Sequence, residues 1–325
     1  MKSTGALKLI IQIPCYNEEE SIRSTLSALP RHVDGFHAVE TLVIDDGSRD
    51  ATVDIAREAG VDHFVLLPHN HGLARAFMAG IEASLKAGAD VIVNTDADNQ
   101  YAASSIEDLV KPILDGTAQI VVGARPIGEI REFSFLKKLL QRLGSAVVRL
   151  ASGTRIPDAA SGFRAFHRDA AMRLYVYGNY TYTLETVIQA GRKNIPIASV
   201  PIRVNPVLRP SRLMKSTSSY VYQSVLSILR IFILYKPLRF FLSVGTLFLI
   251  PGVLLGSRFV YLYVAGDGAG HVQSLILAAV LILTAIIVYA VGLLSDLTAA
   301  NRAMLEEIRM RILRGEMVDG RDERP

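Results

Sequence analysis

Cysteine is nearly absent from this 325-residue chain, in which Cys15 is the only one. A single cysteine cannot form a disulfide within the chain, and this is consistent with a reducing compartment. Tryptophan is absent altogether, so no motif that requires an indole ring is present.

Charged residues are missing from the segment Val272 to Ser295. The segment Leu238 to Val264 is also apolar, apart from Arg239 at its start and Arg258 near its end. A helix of about 20 apolar residues crosses the hydrocarbon core of a bilayer. The mean hydropathy of the chain, +0.30, is high for a purely soluble protein. We therefore predict two transmembrane helices, at residues 238–264 and 272–295, although burial of the first in a soluble core is an alternative.

Lysine and arginine are missing from the connection between the two predicted spans, residues 259–271. The residues that flank the spans on their outer sides are basic: Arg230, Lys236, Arg239, Arg302, Arg309, Arg311 and Arg314. The positive-inside rule then places both ends of the chain in the cytoplasm. We expect a cytoplasmic domain at 1–212, an interfacial helix at 213–237, an extracytoplasmic loop at 265–271 and a cytoplasmic basic tail at 296–325.

The formal net charge is +4 and the isoelectric point is about 9.1. The basic residues gather near the predicted membrane segments, so the positive charge fits contact with anionic lipid. For the same reason we expect a membrane partner and no nucleic acid.

The first 200 residues alternate strand-like and helix-like segments. Strand-like segments include "LKLIIQIP", "ETLVIDD", "HFVLLP", "DVIVNTD" and "AQIVVGA", and helices are predicted near Glu18, from about Ala51, from Gly72 to Lys86 and from Ser104 to Leu114. This alternation predicts an α/β fold with a mainly parallel sheet covered on both faces. The first apolar run, Leu7 to Pro14, leads straight into "NEEE" and is expected to be a strand rather than a signal peptide.

Polar side chains follow several of these predicted strands at their carboxyl ends, the edge where open α/β sheets bind ligands. They are Tyr16, Asn17 and Glu18 after the first strand, Asp45 and Asp46 after the second, Asp96 and Asp98 after the fourth, and Arg125 after the fifth. Several such residues on one edge indicate a site. Acidic side chains can accept hydrogen bonds from the neutral hydroxyls and base edges of a nucleoside. They can hold an anionic diphosphate only through a metal ion. A nucleotide-sugar, which has both parts, therefore fits this edge.

The stretch "VIVNTDADNQY" carries the most specific pattern. If the chain stays extended past Thr95, then Asp96, Asp98 and Gln100 share one face and offer three oxygen ligands. Two nearby carboxylates repel each other unless a cation lies between them, and Mg²⁺ commonly takes one or two carboxylates. The alternative is a polar turn that caps the next helix, and this stretch alone leaves both open.

Five motifs in order, "IPCYNEEESI", "VIDDGSRDAT", "NTDADNQY", "VVGAR" and "DAASGFRAF", resemble those of the family-2 glycosyltransferases. The resemblance covers about residues 7–215 and implies the GT-A (nucleotide-diphospho-sugar transferase) fold. With two C-terminal membrane helices, the chain resembles in particular the polyprenyl-phosphate glycosyltransferases, the group that includes dolichol-phosphate mannose synthases.

The resemblance implies a role for each matching residue. The donor nucleotide would be bound by Pro14, Tyr16, Asn17, Glu18, Asp45 and Asp46, and Mg²⁺ or Mn²⁺ by Asp96, Asp98 and Gln100. Arg125 would lie near the transferring phosphates, and Asp158 with residues 161–166 would form the floor of the sugar site. Arg209 and Arg212 stand where relatives carry a basic loop. Arg164 is catalytic or a structural ion-pair partner, and Glu185 is an active-site acid or a helix-surface residue.

The implied reaction is a single displacement with inversion, from a UDP- or GDP-sugar to a polyprenyl phosphate. An anionic acceptor needs no general base, whereas a hydroxyl acceptor, the alternative, would need one such as Asp158 or Glu185. The candidates for binding the acceptor and its phosphate are Arg131, Lys137, Lys138, Arg142, Ser161, Arg209 and Arg212.

The sequence of residues 133–150 predicts an amphipathic basic helix, either in the membrane interface or packed on the sheet. A homo-oligomer is possible.

Two other enzyme classes with related folds are not supported, because their sequence motifs are missing from this chain. Processive polysaccharide synthases resemble one another in a QxxRW-type motif, which a chain without tryptophan cannot contain. Sugar nucleotidyltransferases carry a glycine-rich signature after the first strand, which is missing here.

Overall fold

The computed structural model describes residues 7–126, 152–154, 156–176, 182–205, 230, 233, 235–266 and 269–322. The chain divides into two compact units, residues 1–221 with 308–325, and residues 222–307. Several predictions fall outside the described residues: the basic helix at 133–150, most of the interfacial helix at 213–237, and Arg131, Lys137, Lys138, Arg142, Arg209 and Arg212.

The first unit is built on one seven-stranded sheet. Its strands are β1 (Leu7–Cys15), β2 (Phe36–Asp45), β3 (His63–Leu66), β4 (Val91–Asn94), β5 (Ile120–Ala124), β6 (Arg164–His167) and β7 (Ile197–Pro201). The strand order is β3-β2-β1-β4-β6-β5-β7. All pairs are parallel except the two that β6 makes with β4 and β5. The predicted mainly parallel sheet is confirmed, with one antiparallel strand that the sequence pattern did not indicate.

Helices connect the strands and cover the sheet. They are α1 (Ile22–Ala28), α2 (Thr52–Glu58), α3 (Leu73–Lys86), α4 (Ile106–Leu114), α5 (Arg168–Arg173) and α6 (Thr183–Arg192). Helix α1 begins four residues after Glu18, whose carbonyl accepts the amides of Ser21 and Ile22 in a preceding turn.

Both faces of the sheet are buried, as expected for parallel strands with helices on each side. Side chains alternate along β1: Leu9, Ile11 and Ile13 belong to the core that includes α1 and α4, and Ile10 belongs to the core that includes α3. Packing therefore fixes the register of the central strand, because a shift by one residue would exchange its two faces.

The topology of the sheet brings the candidate functional residues to one edge. Strands β1, β2 and β4 are parallel neighbours, so their carboxyl ends lie at the same edge. Strand β6 runs antiparallel to β4 with Arg164 opposite Asn94, so β6 begins at that edge. The segment 156–163, which precedes β6, thereby lies at the carboxyl end of β4.

The second unit contains helix α7 (Pro237–Val264) and most of helix α8 (Val272–Asp322). The last residues of α8, from Ile308 onwards, belong to the first unit. Both are long and apolar enough to cross a membrane, with mean hydropathies of 2.0 and 2.8. Helix α8 extends beyond the predicted span at 272–295. The helices approach closely at glycines: Gly245 lies against the Tyr289 ring and Gly292 against Phe241. Small residues at such crossings are typical of membrane helix pairs.

Candidate active site

Two loops at the carboxyl edge of the sheet are joined by hydrogen bonds. The amide of Asn17 donates to Ser48 Oγ at 2.9 Å, and the amide of Arg49 donates to Asn17 Oδ1 at 2.9 Å. The amide of Glu18 donates to Thr52 Oγ1 at 2.8 Å. Asn17 adopts a φ of 53°, a conformation in which asparagine is enriched. The sequence-predicted donor residues after β1 are thus held rigidly beside the end of β2.

The residues of the first loop differ in exposure. Pro14 is buried within β1, and Tyr16, at the end of the strand, is 42% exposed. An exposed aromatic ring offers an apolar face to a flat ligand such as a nucleobase. Glu18 is half-buried, and its carboxylate accepts from Ser21 Oγ at 2.6 Å.

Asp45 and Asp46 are both buried and bonded to backbone amides. Asp45 accepts from the amide of Ser48. Asp46 accepts from the amides of His71 and Gly72 at 2.8 and 2.9 Å, which fixes the chain just before α3. Each carboxylate has about four acceptor positions, so both keep capacity for a ligand. Their role in nucleotide binding stays a prediction.

Of the two alternatives for the stretch past Thr95, an extended segment or a polar turn, the structure shows a turn. Strand β4 ends at Asn94, residues 97–98 form a turn, and Asn99 has a φ of 55°. The cause is local: Asp98 Oδ1 accepts the amide of Gln100 at 3.0 Å, and asparagine tolerates the left-handed conformation that closes the turn. The alternation argument for a shared face of Asp96, Asp98 and Gln100 is therefore wrong, and their metal-binding role stays a prediction on other grounds.

A second segment holds this turn from the other side. The amide of Asn205 donates to the Gln100 carbonyl at 2.8 Å, and Asn205 Nδ2 donates to the Asn99 carbonyl at 2.8 Å. The turn is thus tied to the chain that follows β7.

Asp96 has the most perturbed carboxyl among the candidate ligands. Burial and the neighbouring charge of Asp98 raise its pKa to about 7, while Arg125 and a hydrogen bond from Tyr101 act in the opposite direction. Burial disfavours a carboxylate charge, and so does a like charge nearby. A cation between Asp96 and Asp98 would remove both penalties.

The donor set fits a divalent cation that is shared with a substrate. Among the described residues, no cluster of three or more His, Cys, Asp or Glu side chains could hold a metal by itself. Mg²⁺ is typically held by one or two carboxylates, with substrate phosphates and waters completing its shell. Asp96 and Asp98 match that requirement.

Arg125 and Asp158 form a bidentate ion pair. Arg125 Nε donates to Asp158 Oδ2 at 2.7 Å, and Arg125 Nη2 donates to Asp158 Oδ1 at 3.1 Å. The Asp158 side chain is 1% exposed and that of Arg125 is 14% exposed. Asp158 is therefore already neutralised by a cation within the protein.

Arg164 is completely buried, and its hydrogen bonds go to neutral acceptors. It donates to the carbonyls of Ala159, Ser161 and Thr183 and to Thr186 Oγ1. Burial lowers the pKa of its guanidinium to about 10. These contacts join the segment before β6 to the start of α6, a placement that favours a positioning role.

The other predicted residues of this region are also buried. The amide of Ser161 donates to the Asp158 carbonyl at 3.4 Å, in the turn before β6. Glu185 lies in the first turn of α6 and is 7% exposed, so it is not a helix-surface residue.

Three polar residues beneath Asp96 were not predicted from the sequence. Gln12 Nε2 donates to Asn94 Oδ1 at 2.8 Å, and Asn94 Nδ2 donates to the Tyr182 hydroxyl at 2.8 Å. Gln12 and Asn94 are opposite each other in adjacent strands. A polar residue within each of two apolar strands is the sequence feature that could have indicated this pair.

Residues 10–175 match the description "Glycosyl transferase family 2". The chain belongs to this family. The resemblance inferred from the five motifs is thereby confirmed, and the protein is a glycosyltransferase.

Two curated relatives of this glycosyltransferase are named for lipid-phosphate acceptors. It is 30% identical over 213 residues to UDP-N-acetylglucosamine–dolichyl-phosphate N-acetylglucosaminyltransferase of Methanococcus voltae, covering 59% of this chain and 83% of the relative. It is 30% identical over 206 residues to undecaprenyl-phosphate mannosyltransferase of Micrococcus luteus, covering 60% and 83%.

The fold is similar to that of glucosyl-3-phosphoglycerate synthase from Mycobacterium tuberculosis. The complex of that enzyme with phosphoglyceric acid has a TM-score of 0.54 at 24% identity, covering 68% of this chain and 80% of the other. Its complex with Mn²⁺, UDP-glucose and phosphoglyceric acid has a TM-score of 0.53 at 23% identity, covering 68% and 79%. The glycosyltransferase described here therefore has the predicted GT-A fold.

Proposed function

We propose that this glycosyltransferase is a membrane-anchored inverting enzyme that moves a sugar from a UDP- or GDP-sugar to a polyprenyl phosphate on the cytoplasmic leaflet. Two observations on the whole chain support this proposal. The relatives from M. voltae and M. luteus are named for dolichyl and undecaprenyl phosphate, and helices α7 and α8 are apolar enough to span a bilayer.

The observation that carries the proposal is the ion pair between Arg125 and Asp158. A hydroxyl acceptor needs a base to take its proton in the transition state. Asp158, one candidate base, already has both carboxylate oxygens bonded to Arg125. A polyprenyl phosphate is anionic at neutral pH and attacks without losing a proton, so it suits a site in which this carboxylate is occupied.

The main obstacle for an anionic acceptor is repulsion from the donor diphosphate. In our proposal Asp96, Asp98 and Gln100 hold Mg²⁺ or Mn²⁺, which neutralises the diphosphate and stabilises the charge that develops on the leaving group. The Arg125 side chain is 14% exposed, and only two of its five side-chain N–H groups bond Asp158, so the others donate to the phosphates. Tyr16, Asn17, Glu18 and the Asp45–Asp46 pair bind the nucleoside.

The experiment is a transfer assay with the full-length purified enzyme. Radiolabelled UDP- and GDP-sugars are each supplied with polyprenyl phosphate, with Mn²⁺, Mg²⁺ or EDTA, and the lipid fraction is counted. We expect one nucleotide-sugar to label the lipid only when metal is present, and Asp96→Ala or Asp98→Ala to abolish labelling while thermal unfolding stays close to wild type. Full activity of Asp98→Ala in EDTA would contradict the metal assignment.

A further inference from the structure

We propose that Tyr101 is a positioning residue for Asp96, and that its hydroxyl fixes the backbone of Gly162, against which this carboxylate lies ready to bind the cation. The inference rests on the proposed metal role of Asp96. It concerns residues on two different segments, the turn after β4 and the turn before β6, which the chain brings together at the edge of the sheet.

The ring of Tyr101 is held in one place. It is 4% exposed and stacks on the Phe163 ring, with centroids 5.1 Å apart and an interplanar angle of 9°. Its backbone pairs with Val204 in an isolated antiparallel bridge. Both contacts involve the ring or the backbone, so the hydroxyl is free to act at a fixed position.

The hydroxyl holds the backbone of Gly162. It accepts a hydrogen bond from the amide of Gly162 at 3.1 Å. Gly162 is buried, so without the hydroxyl its amide would lose its acceptor away from water. Tyr101 therefore acts on Asp96 through the position of Gly162.

Gly162 lies directly against the carboxylate of Asp96. A Cβ at this position would come within 2.9 Å of Asp96 Oδ1, 3.0 Å of Asp96 Oδ2 and 2.9 Å of the Tyr182 hydroxyl. The Gly162 carbonyl accepts from Asn94 Nδ2 at 2.9 Å and from the Tyr182 hydroxyl at 3.2 Å. The peptide is therefore anchored through both its amide and its carbonyl, and only glycine leaves room for the carboxylate.

Tyr101→Phe tests this inference because it removes the hydroxyl and keeps the stacked ring. We expect its dissociation constant for Mn²⁺, measured by electron paramagnetic resonance with UDP or GDP present, to rise roughly 10-fold, because partners that orient a metal ligand are typically worth about 10- to 100-fold in affinity. The Mn²⁺ concentration for half-maximal transfer should rise in parallel, and kcat at saturating Mn²⁺ should largely recover.

Tyr175→Phe is the matched control, since Tyr175 packs its ring under Arg309 and lies outside the proposed site. Gly162→Ala is the second variant, and it should weaken Mn²⁺ binding more than Tyr101→Phe because the new methyl group occupies the position of the carboxylate.

Wild-type Mn²⁺ affinity in Tyr101→Phe would overturn the inference. So would a loss of kcat in Tyr101→Phe that saturating Mn²⁺ does not restore. Failure of the wild-type protein to bind Mn²⁺ with either nucleotide is a different result, and it would overturn the metal site itself.

Discussion

At the scale of single residues, the environment of Asp96 links metal binding to pH. Its pKa is raised to about 7 by burial and by Asp98, with a further contribution from Glu18, whereas Arg125 and Tyr101 oppose the shift. In the metal-free protein the carboxyl is therefore largely protonated below that pH. A cation must displace this proton, and metal binding at neutral pH should release it.

We predict that the Mn²⁺ affinity rises from about pH 6 to about pH 8 and then levels off, because the proton competes with the metal only below the pKa. Titration of Mn²⁺ followed by electron paramagnetic resonance across this range measures the effect. In Asp98→Asn the Mn²⁺ affinity should be lower at every pH, because a charged ligand is lost, and the remaining rise should shift to lower pH, because the charge that repels Asp96 is gone. An affinity that does not vary with pH would contradict the perturbed carboxyl.

The Arg125–Asp158 pair leads to a second prediction at the same scale. Arg125→Ala should lower kcat/KM by one to two decades, because a charge-assisted contact is worth about 1.5–3 kcal/mol and because buried Asp158 loses its partner. Asp158→Asn should retain measurable transfer, since it leaves Arg125 available to the phosphates.

Steady-state kinetics of both variants, with thermal unfolding as the control for folding, provide the test. Complete inactivity of a folded Asp158→Asn, equal to or worse than Arg125→Ala, would return Asp158 to the role of base.

Sequence motifs predicted both Arg125 and Asp158 as site residues and could not predict that they pair. They lie 33 positions apart, and no local pattern reports a contact over that separation. The same limit applies to the contact of Tyr101 with Gly162, which is 61 positions away. Polar residues at strand ends could be recognised from the sequence, but their partners depend on the tertiary fold.

At the scale of secondary-structure elements, the segment before β6 is held by Arg164. The guanidinium joins the turn at Ala159–Ser161 to the first residues of α6, and no part of it is exposed. The hydrogen-bond acceptors of the guanidinium are all neutral, so the main effect of Arg164 is to fix the turn before β6 relative to α6. Asp158 lies in the segment that this contact stabilises.

We predict that Arg164→Lys lowers stability and activity together. Lysine cannot reach all four acceptors, and each buried acceptor left without a donor costs about 1–3 kcal/mol. Thermal unfolding and transfer should both be measured on the purified variant. Arg173→Lys gives a comparison of the same chemical change, at a half-buried arginine at the end of α5 that donates to the Lys193 carbonyl. If Arg164→Lys unfolds at the wild-type temperature and is inactive, Arg164 acts in the reaction and not as a positioning residue.

The elements themselves were partly predictable. Helix α3 has the predicted end at Lys86 and α4 the predicted end at Leu114, because both carry a clear amphipathic period. Strand β6 was missed as a strand, since it has only four residues and its direction is set by pairing with β4 and β5. For the stretch after β4 the sequence left an extended segment and a polar turn open, because the alternation of Asp96 and Asp98 does not reveal the left-handed Asn99.

At the scale of the whole molecule, the proposal requires that the catalytic unit and the C-terminus share the cytoplasmic side of the membrane. The charge asymmetry of the sequence supports this orientation. Cysteine labelling can test it cleanly, because the natural Cys15 is buried and contributes little background.

We predict that a membrane-impermeant thiol reagent applied to intact cells labels Asp267→Cys and does not label Arg321→Cys. Permeabilised cells serve as the control and should label both variants. The reverse pattern in intact cells would overturn the orientation and with it the cytoplasmic active site.

The central claim is that the acceptor is a lipid phosphate, and the most direct measurement compares two lipids that differ only in that group. Purified wild-type enzyme is given the active nucleotide-sugar, Mn²⁺ and either polyprenyl phosphate or the polyprenol of the same chain length, and sugar transfer to each is quantified. Our account predicts transfer to the phosphate and none to the alcohol, because the site relies on metal and Arg125 to hold anions and has Asp158 already paired. Equal turnover of the uncharged alcohol would contradict it and would require a catalytic base, with Asp158 and Glu185 as the first candidates.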